Sequence, residues 1–236
     1  MIIEFSAPPG SGKSAIAKAI SHEGYKLFRF STLGEGGKLN YFTWAVSPVF
    51  ICAFINIFFY FLYFYKDLSL KRKVVSALVA AQTKVLKRKK AWYVRDQGYF
   101  QLGDWVPGHE LKNSGELVRA LEKIGGMPEA VVFFDIPPEV VCEKLDRRGD
   151  LGKWIKKAKQ RGYDSILERL EEQRNLDEVK YEMCRRGGVP FAVVSVDEGE
   201  GISAVDYYFP REVSDSRKKD IGLIVESIKR NWLPYA

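Results

Sequence analysis

Seven residues near the start of the chain combine glycine, lysine and serine at a spacing that suits phosphate chemistry. The stretch PPGSGKS runs from Pro8 to Ser14. Glycines let successive backbone N–H groups converge on one anion, lysine adds a positive charge, and a serine hydroxyl is an oxygen ligand that Mg²⁺ accepts. The pattern predicts a nucleotide-phosphate site made of six consecutive residues: Pro9, Gly10, Ser11, Gly12, Lys13 and Ser14.

The residues on either side of this stretch predict how it is held. Ile2 to Phe5 is a short apolar run typical of a buried strand, and Ile16 and Ile20 fall on one face of a helix that follows at once. Strand, glycine-bearing turn and helix are the context that a phosphate-binding P-loop requires. In that consensus Lys13 reaches the β- and γ-phosphates and Ser14 binds Mg²⁺, while Ala7 stands in place of the first glycine.

The charge balance suggests an anionic partner without choosing one. The chain has 236 residues and a formal net charge of +7, with its cations clustered at 71–73, 87–90 and 153–161. Such clusters suit phosphorylated ligands, nucleic acid or anionic lipid. Because no nucleic-acid recognition module is recognisable, we do not expect nucleic acid as the partner.

The cysteines and histidines limit the kinds of catalytic or metal site that the chain could form. Cys52, Cys142 and Cys184 are odd in number and far apart, which favours reduced thiols in a cytoplasmic protein. The two histidines, His22 and His109, make a histidine triad or zinc cluster an unlikely basis for activity. No signal peptide is expected, because the P-loop stands where its apolar core would lie.

Apolar segments alternate with helical patterns along the whole chain. This alternation predicts one α/β domain spanning 1–236, with a five-stranded parallel sheet covered by helices on both faces. Helices are expected after Lys13 and along 70–85, 115–124, 163–186 and 215–228. The predicted strands are Ile2–Phe5, Gly24–Phe30, Ala91–Val94, Ala130–Ile136 and Val189–Val196.

One tract does not fit a simple sheet-and-helix domain. Residues 39–65 contain no charged side chain, and they open an apolar and basic helical insertion at 39–90. A single membrane crossing would separate strands that must share one sheet. Two interpretations stay open for 41–65: an apolar helical pair, broken near Pro48, that contacts the membrane surface, or a buried helix that forms a homodimer interface or the acceptor pocket.

The order of several stretches resembles the nucleoside monophosphate kinase family of P-loop proteins. PPGSGKS is similar to the adenylate kinase P-loop, and STLGE at 31–35 to the segment after that family's second strand. FFDIPPEVVCEKLDRRGD at 133–150 resembles the thymidylate kinase stretch that runs from the fourth strand into the lid, and VVSVDEGEG at 193–201 the last strand and purine-facing loop. The resemblance covers most of the chain outside about 39–90.

The resemblance and the predicted topology together suggest further site residues. Asp96 ends the third strand, where a carboxylate could hold Mg²⁺ or orient the acceptor. Arg147 and Arg148 open a basic lid at 147–163 that would close over the phosphates, and Asp197 falls in the purine-facing loop that the resemblance implies. Gln97 departs from the family, which often has arginine there.

The leading hypothesis is an ATP-dependent, Mg²⁺-requiring kinase that moves the γ-phosphate to a small phosphorylated or hydroxyl acceptor. A nucleoside monophosphate such as dTMP is the first candidate acceptor. A membrane-associated kinase for a sugar or lipid-linked acceptor is one alternative, and it would be peripheral to the membrane. A nucleotide-binding switch without catalysis is the other.

Overall fold

The computed structural model describes residues 1–8, 11–21, 23, 26–28, 48–64, 70–88, 92–95, 100, 127–160, 162–197 and 201–232. Its strands form a single sheet. They are β1 (Ile2–Ser6), β2 (Lys26–Phe28), β3 (Tyr93–Arg95), β4 (Ala130–Asp135), β5 (Phe191–Val196) and β6 (Ile202–Tyr208).

The helices connect these strands and cover both faces of the sheet. Most begin where the sequence pattern turns from apolar runs to helical spacing. They are α1 (Lys13–Ser21), α2 (Pro48–Phe64), α3 (Leu70–Lys87), α4 (Pro138–Arg147), α5 (Leu151–Lys159), α6 (Ile166–Arg186) and α7 (Asp215–Asn231).

The strand order is β2-β3-β1-β4-β5-β6. The first five are parallel to their neighbours, which confirms the predicted five-stranded parallel sheet. The sixth strand was not predicted, and it runs antiparallel to β5 at the edge of the sheet. None of its residues is fully buried, and its sequence, ISAVDYY, accordingly contains no apolar run. An edge strand with one solvated side therefore leaves little hydrophobic signal.

Two apolar clusters lie on opposite faces, as the alternation along β4 requires. Val132 and Phe134 pack with α1, α4 and α7, whereas Val131 and Phe133 pack with α2, α3 and α6. Phe133 makes edge-to-face contacts with Tyr181 of α6 and Phe191 of β5. The sheet is thus buried on both sides between helix layers. This packing holds the ends of its central strands in place.

Three segments differ from the sequence prediction or lie beyond it. The helical pattern predicted from 163 onward is preceded by a separate helix, α5, in the segment expected to be a lid. The apolar tract forms α2 from Pro48 onward, and its first part, 39–47, lies outside the described residues, as does the helix predicted at 115–124. Among the helices in the described ranges, none has the length and hydropathy needed to cross a bilayer.

The last helix is tied to the first through one carboxylate. Glu23, just after α1, accepts hydrogen bonds from Ser227 Oγ at 2.7 Å, Asn231 Nδ2 at 2.8 Å and Arg230 Nη2 at 3.0 Å. These contacts, with the Ser227 hydroxyl first, hold the pKa of Glu23 below its ordinary value. The ionised carboxylate therefore helps to fix α7 against the helix that begins at Lys13.

We expect Glu23→Gln to lower the melting temperature at neutral pH by about 2–4 °C. A carboxyl whose pKa is depressed in the folded state stabilises the fold above its unfolded pKa and loses that effect as pH falls through the folded pKa. The difference between the two proteins should therefore shrink as the pH is lowered below about 4. Differential scanning fluorimetry across pH measures it. Glu212→Gln, at an exposed turn residue, is the matched control, and an equal shift in that variant would contradict the prediction.

Candidate active site

The predicted phosphate-binding residues lie in a tight turn between β1 and α1. Ser11 N donates to Pro8 O at 3.4 Å, and Ala15 N and Ile16 N donate to Gly12 O, which starts the helix. Gly12 has a φ of 81°, in the left-handed region where a side chain is strained, so glycine is required here. Pro9 and Gly10 lie outside the described residues. The described part of the turn places a helix N-terminus directly behind the loop, which favours an anion.

Lys13 is the first residue of α1, and its side chain is buried against the loop. Its Nζ atom donates to Ala7 O at 3.2 Å, so the ammonium group is folded back over the start of the turn. Ser14 follows it and is half-buried. The first turn of α1 contains no acidic residue. The local charge is therefore positive, as binding of a polyphosphate would need.

The loop lies between the ends of two other strands. β1 has β3 on one side and β4 on the other, all parallel, so Arg95 and Asp135 mark the same edge of the sheet as the loop. Asp96 directly follows Arg95 in sequence but lies outside the described residues. Ligands of open parallel sheets gather at this edge, where strand order reverses. Both the place of Asp96 and its role as a magnesium ligand stay predictions.

An ion pair that the sequence did not indicate borders the loop. Arg174 of α6 donates two hydrogen bonds to the carboxylate of Asp135, from Nε to Oδ1 at 2.8 Å and from Nη2 to Oδ2 at 3.1 Å. This contact raises the pKa of the Arg174 guanidinium, mainly through the hydrogen bond to Asp135. Both residues line a pocket together with Ala7 and Pro8, the residues that lead into the phosphate-binding turn.

A second polar cluster lies beneath α3, at the junction of β1 and β3. Arg95 is buried and in register with Glu4 of the neighbouring strand, and its Nη1 donates to Thr83 Oγ1 at 2.8 Å. Arg95 therefore points into the helix layer. Beside Thr83, Gln82 is only 3% exposed, and its Oε1 has no hydrogen-bond partner among the described residues. A buried polar atom of this kind calls for a polar partner.

The segment predicted to be a lid, 147–163, begins at the last residue of α4 and contains α5. Arg147, at the end of α4, is exposed and donates to Glu143 one turn earlier at 2.6 Å, while Arg148 is exposed at the helix C-cap. In α5, Trp154 is flanked by two cations: Lys157 at 4.3 Å and Arg169 of α6 at 5.2 Å from its ring centroid. The lid is thus attached to α6. Closure of Arg147 or Arg148 over phosphates remains a prediction.

Asp197 lies in the turn that joins β5 to β6. Its Oδ1 accepts from Gly201 N at 2.9 Å, and its own N–H donates to Gly201 O at 3.0 Å. The structure therefore gives the side chain a part in closing the turn. A role in contacting the base of a nucleotide stays a prediction, and residues 198–200 lie outside the described residues.

The cysteines do not suit nucleophilic chemistry where their surroundings are described. Burial raises the pKa of the Cys184 thiol well above its ordinary value and also raises that of Cys142. In the described part of the chain, no cluster of histidine, cysteine and carboxylate side chains could hold a metal ion.

The chain was compared with family models, curated proteins and solved structures. No family model and no curated protein matches the chain. Among solved structures, deoxyadenosine kinase from M. mycoides is similar in its forms with bound dCTP (17% identity, TM-score 0.43, 98% of this chain and 100% of that one) and bound dATP (15%, 0.44, 97% and 99%). Thymidylate kinase from Candida albicans is similar as well (14%, 0.41, 98% and 93%).

These similar proteins are nucleoside and nucleotide kinases, as the sequence resemblance predicted. With TM-scores below 0.5, they are similar in chain path only. The assignment of function therefore rests on the residues of this chain.

Proposed function

We propose that this chain is a cytoplasmic, ATP-dependent phosphotransferase that requires Mg²⁺ and acts on a small acceptor, most simply a nucleoside or nucleoside monophosphate such as dTMP. One observation supports the proposal above all others. The buried ammonium of Lys13 stands at the start of a helix, behind a left-handed glycine, at the edge of the sheet between β3 and β4. A lysine placed this way serves an anion that binds the turn.

The residues around the turn can supply what phosphoryl transfer needs. The reaction breaks the bond from the γ-phosphorus to the bridging oxygen of ATP and forms one to an acceptor oxygen, so charge must be neutralised and the groups aligned. Lys13 would bind the β- and γ-phosphate oxygens. Ser14 and Asp96 would hold Mg²⁺, whose chemistry is to neutralise the phosphate charge. Arg147 or Arg148 would close over the nucleotide, and Asp197 would lie near its base.

Arg174 adds a cation that the sequence pattern did not suggest. It is half-exposed beside the loop and aligned by Asp135. A guanidinium held in this way can contact an oxygen of the transferring group without reorganising, which is the condition for strong transition-state stabilisation. Asp135 thereby acts as a positioning residue for Arg174.

The acceptor is expected on the side of β3 and α3. The amide oxygen of Gln82 is buried there without a hydrogen-bond partner among the described residues. Thr83 links the backbone of α3 to Arg95 of β3 through two hydrogen bonds. An amide next to buried charges suits a ligand with hydrogen-bonding edges, such as a nucleobase, better than a purely apolar one. This preference supports a nucleoside-type acceptor.

The proposal is tested by incubating the purified chain with γ-labelled ATP, Mg²⁺ and a panel of nucleosides and nucleoside monophosphates that includes dTMP. We expect transfer of label to one member or a related group, and no transfer when Mg²⁺ is chelated. A protein that binds ATP but phosphorylates no member would contradict the nucleotide acceptor. It would leave the nucleotide-binding switch as the better hypothesis.

A membrane-associated kinase for a sugar or lipid-linked acceptor is the second candidate. It is favoured by α2, which contains no charged residue and exposes large apolar side chains, among them Phe59 and Tyr63. The same labelled assay distinguishes it: with a lipid-linked acceptor, label would enter the organic phase in the presence of membrane lipids, and with a sugar acceptor it would enter a sugar phosphate, instead of a nucleotide.

A further inference from the structure

A groove runs between α6 and the face that β5 and β6 present on the same side of the sheet. Its volume is about 660 Å³, within the range of small-molecule sites. The strand β5 is buried at most positions but only half-buried at Val193 and Ser195, both of which line the groove. Opposite them on β6, Tyr208 is half-buried and Asp206 is exposed. The groove is therefore an open part of a sheet that helices otherwise cover.

Stacked aromatic rings line one end of the groove. The ring centroids of Tyr181 and Phe191 are 5.4 Å apart, and those of Phe191 and Tyr208 are 5.0 Å apart. Arg185 lies beside this stack, with its guanidinium carbon 5.8 Å from the centroid of Phe191 and 5.9 Å from that of Tyr208. Aromatic rings attract cations electrostatically. The stack thus already holds one cation of the chain itself.

The charges around the groove do not balance. Both guanidinium groups that line it have a carboxylate partner, because Arg174 binds Asp135 and Arg185 lies 3.7 Å from a glutamate of its own helix. Glu178 of α6 and Asp206 of β6 also line the groove, and neither pairs with a cation among the described residues. The groove therefore carries an excess of negative charge, although the chain as a whole has a formal net charge of +7.

The hydroxyl of Tyr181 is a further polar group that faces the groove. Tyr181 is only 9% exposed, and its hydroxyl has no hydrogen-bond partner among the described residues. Burial, followed by the charges of Asp177, Asp135 and Glu178, raises the pKa of this phenol, whereas Arg174 opposes the shift. The hydroxyl therefore keeps its proton in a negative surrounding. Its oxygen can still accept a hydrogen bond, and a cationic N–H group is the donor that this surrounding favours.

We propose that the groove between α6 and the β5–β6 face binds an organic polycation, a flexible aliphatic chain that carries two or more ammonium groups. The ammonium groups pair with Glu178 and Asp206 and donate to the Tyr181 hydroxyl. The aliphatic chain lies on the half-buried side chains of Val193 and Tyr208. Such a ligand neutralises both carboxylates and covers the apolar part of the groove at the same time.

Two other kinds of ligand fit the lining less well. In the described part of the chain, no three histidine, cysteine or carboxylate side chains come together as a metal ion requires. Ammonium groups spaced along a chain can instead reach carboxylates that lie apart. A phosphorylated ligand would be repelled by Glu178 and Asp206. The proposal does not depend on the proposed kinase activity, although Asp135 and Arg174 line both this groove and the pocket beside the phosphate-binding turn.

The test is isothermal titration calorimetry of the purified chain with spermidine, in the absence of nucleotide. We expect saturable binding of one molecule per chain, even though the net positive charge of the protein opposes a cation in general. The double variant Glu178→Gln, Asp206→Asn should bind spermidine roughly tenfold more weakly or less, because it loses two charge-assisted hydrogen bonds. Putrescine should bind more weakly than spermidine, and 1,4-butanediol, its uncharged analogue, should not bind.

Matched variants separate the groove from the charge of the protein as a whole. Asp146→Asn with Glu212→Gln makes the same change in net charge at two exposed positions outside the groove, and it should bind spermidine as the unaltered chain does. Tyr181→Phe removes one hydroxyl and should weaken binding several-fold. Because Glu178 and Asp206 are exposed, the melting temperature of the groove variant without ligand should stay unchanged.

Several results would overturn the proposal. If spermidine shows no saturable binding, the groove does not take a polycation. Binding that is unchanged in both the groove double variant and Tyr181→Phe places the ligand elsewhere on the protein. An equal loss in the Asp146→Asn, Glu212→Gln control, or full displacement of spermidine by Mg²⁺ at the same concentration of charge, shows a general electrostatic effect.

Discussion

Replacing Lys13 with alanine is expected to reduce phosphoryl transfer by on the order of 10²–10³-fold, the effect of removing a charge that stabilises a transition state. Lys13 is the only cation that the described part of the chain holds against the turn through a backbone contact, at Ala7 O. The steady-state rate with ATP and the best acceptor, compared with the unaltered chain, measures the loss.

The fold should survive this substitution, which makes the result interpretable. Burying an ammonium group costs free energy, so removing it should leave the melting temperature of the nucleotide-free protein unchanged or slightly higher. The rise in melting temperature on adding ATP should disappear. Lys18→Ala, which removes an exposed lysine one turn further along α1, should retain full activity. A Lys13→Ala protein that turns over at the normal rate would remove the basis of the proposed function.

Replacing Arg174 with alanine is expected to lower kcat by about 100-fold, with a much smaller change in KM for ATP. The guanidinium is aligned beside the loop by Asp135, so it can act on the transferring group without first being ordered. Asp135→Asn keeps the cation but weakens its alignment, and we expect roughly a tenfold loss. Steady-state kinetics on the three proteins gives both parameters.

The control for this series lies on the same helix. Arg186→Ala removes an exposed arginine that pairs with Glu182 one turn earlier, at the far end of α6 from the loop. Its kinetics should match those of the unaltered chain. If Arg174→Ala keeps at least half of the normal kcat, or if only KM changes, the side chain contributes to binding or structure and not to transfer.

The parts of the candidate site that could be predicted from the sequence are those formed by residues that lie close together in the chain. The turn from Pro8 to Ser14 is closed by contacts among its own residues and by the helix that follows directly, so its geometry is encoded locally. The strands that surround it are apolar because both faces of the sheet are covered. Strong local signals of this kind allowed the parallel sheet to be predicted, and they are the basis on which the phosphate site is proposed.

The remaining features depend on parts of the chain that meet only after folding. Asp135 and Arg174 are 39 residues apart, and α6 is a charged helix in which no single arginine stands out. β6 shows little apolar pattern because it is paired on one side only. The two faces of α2 were hidden in sequence because both are apolar, and only the packing against the core shows which stripe is in solvent.

The position of β1 has a consequence for the order in which this protein matures. The strand precedes the other five described strands in the chain, yet it lies between β3 and β4. The helix it leads into is held by α7 through contacts that span more than 200 residues, as from Glu23 to Ser227. Contacts of such separation form late, after loop-closure entropy has been overcome. On the ribosome α1 therefore lacks its contacts with α7 until nearly all of the chain has been translated, while α2 emerges long before β4 and α6 exist to cover its core-facing stripe.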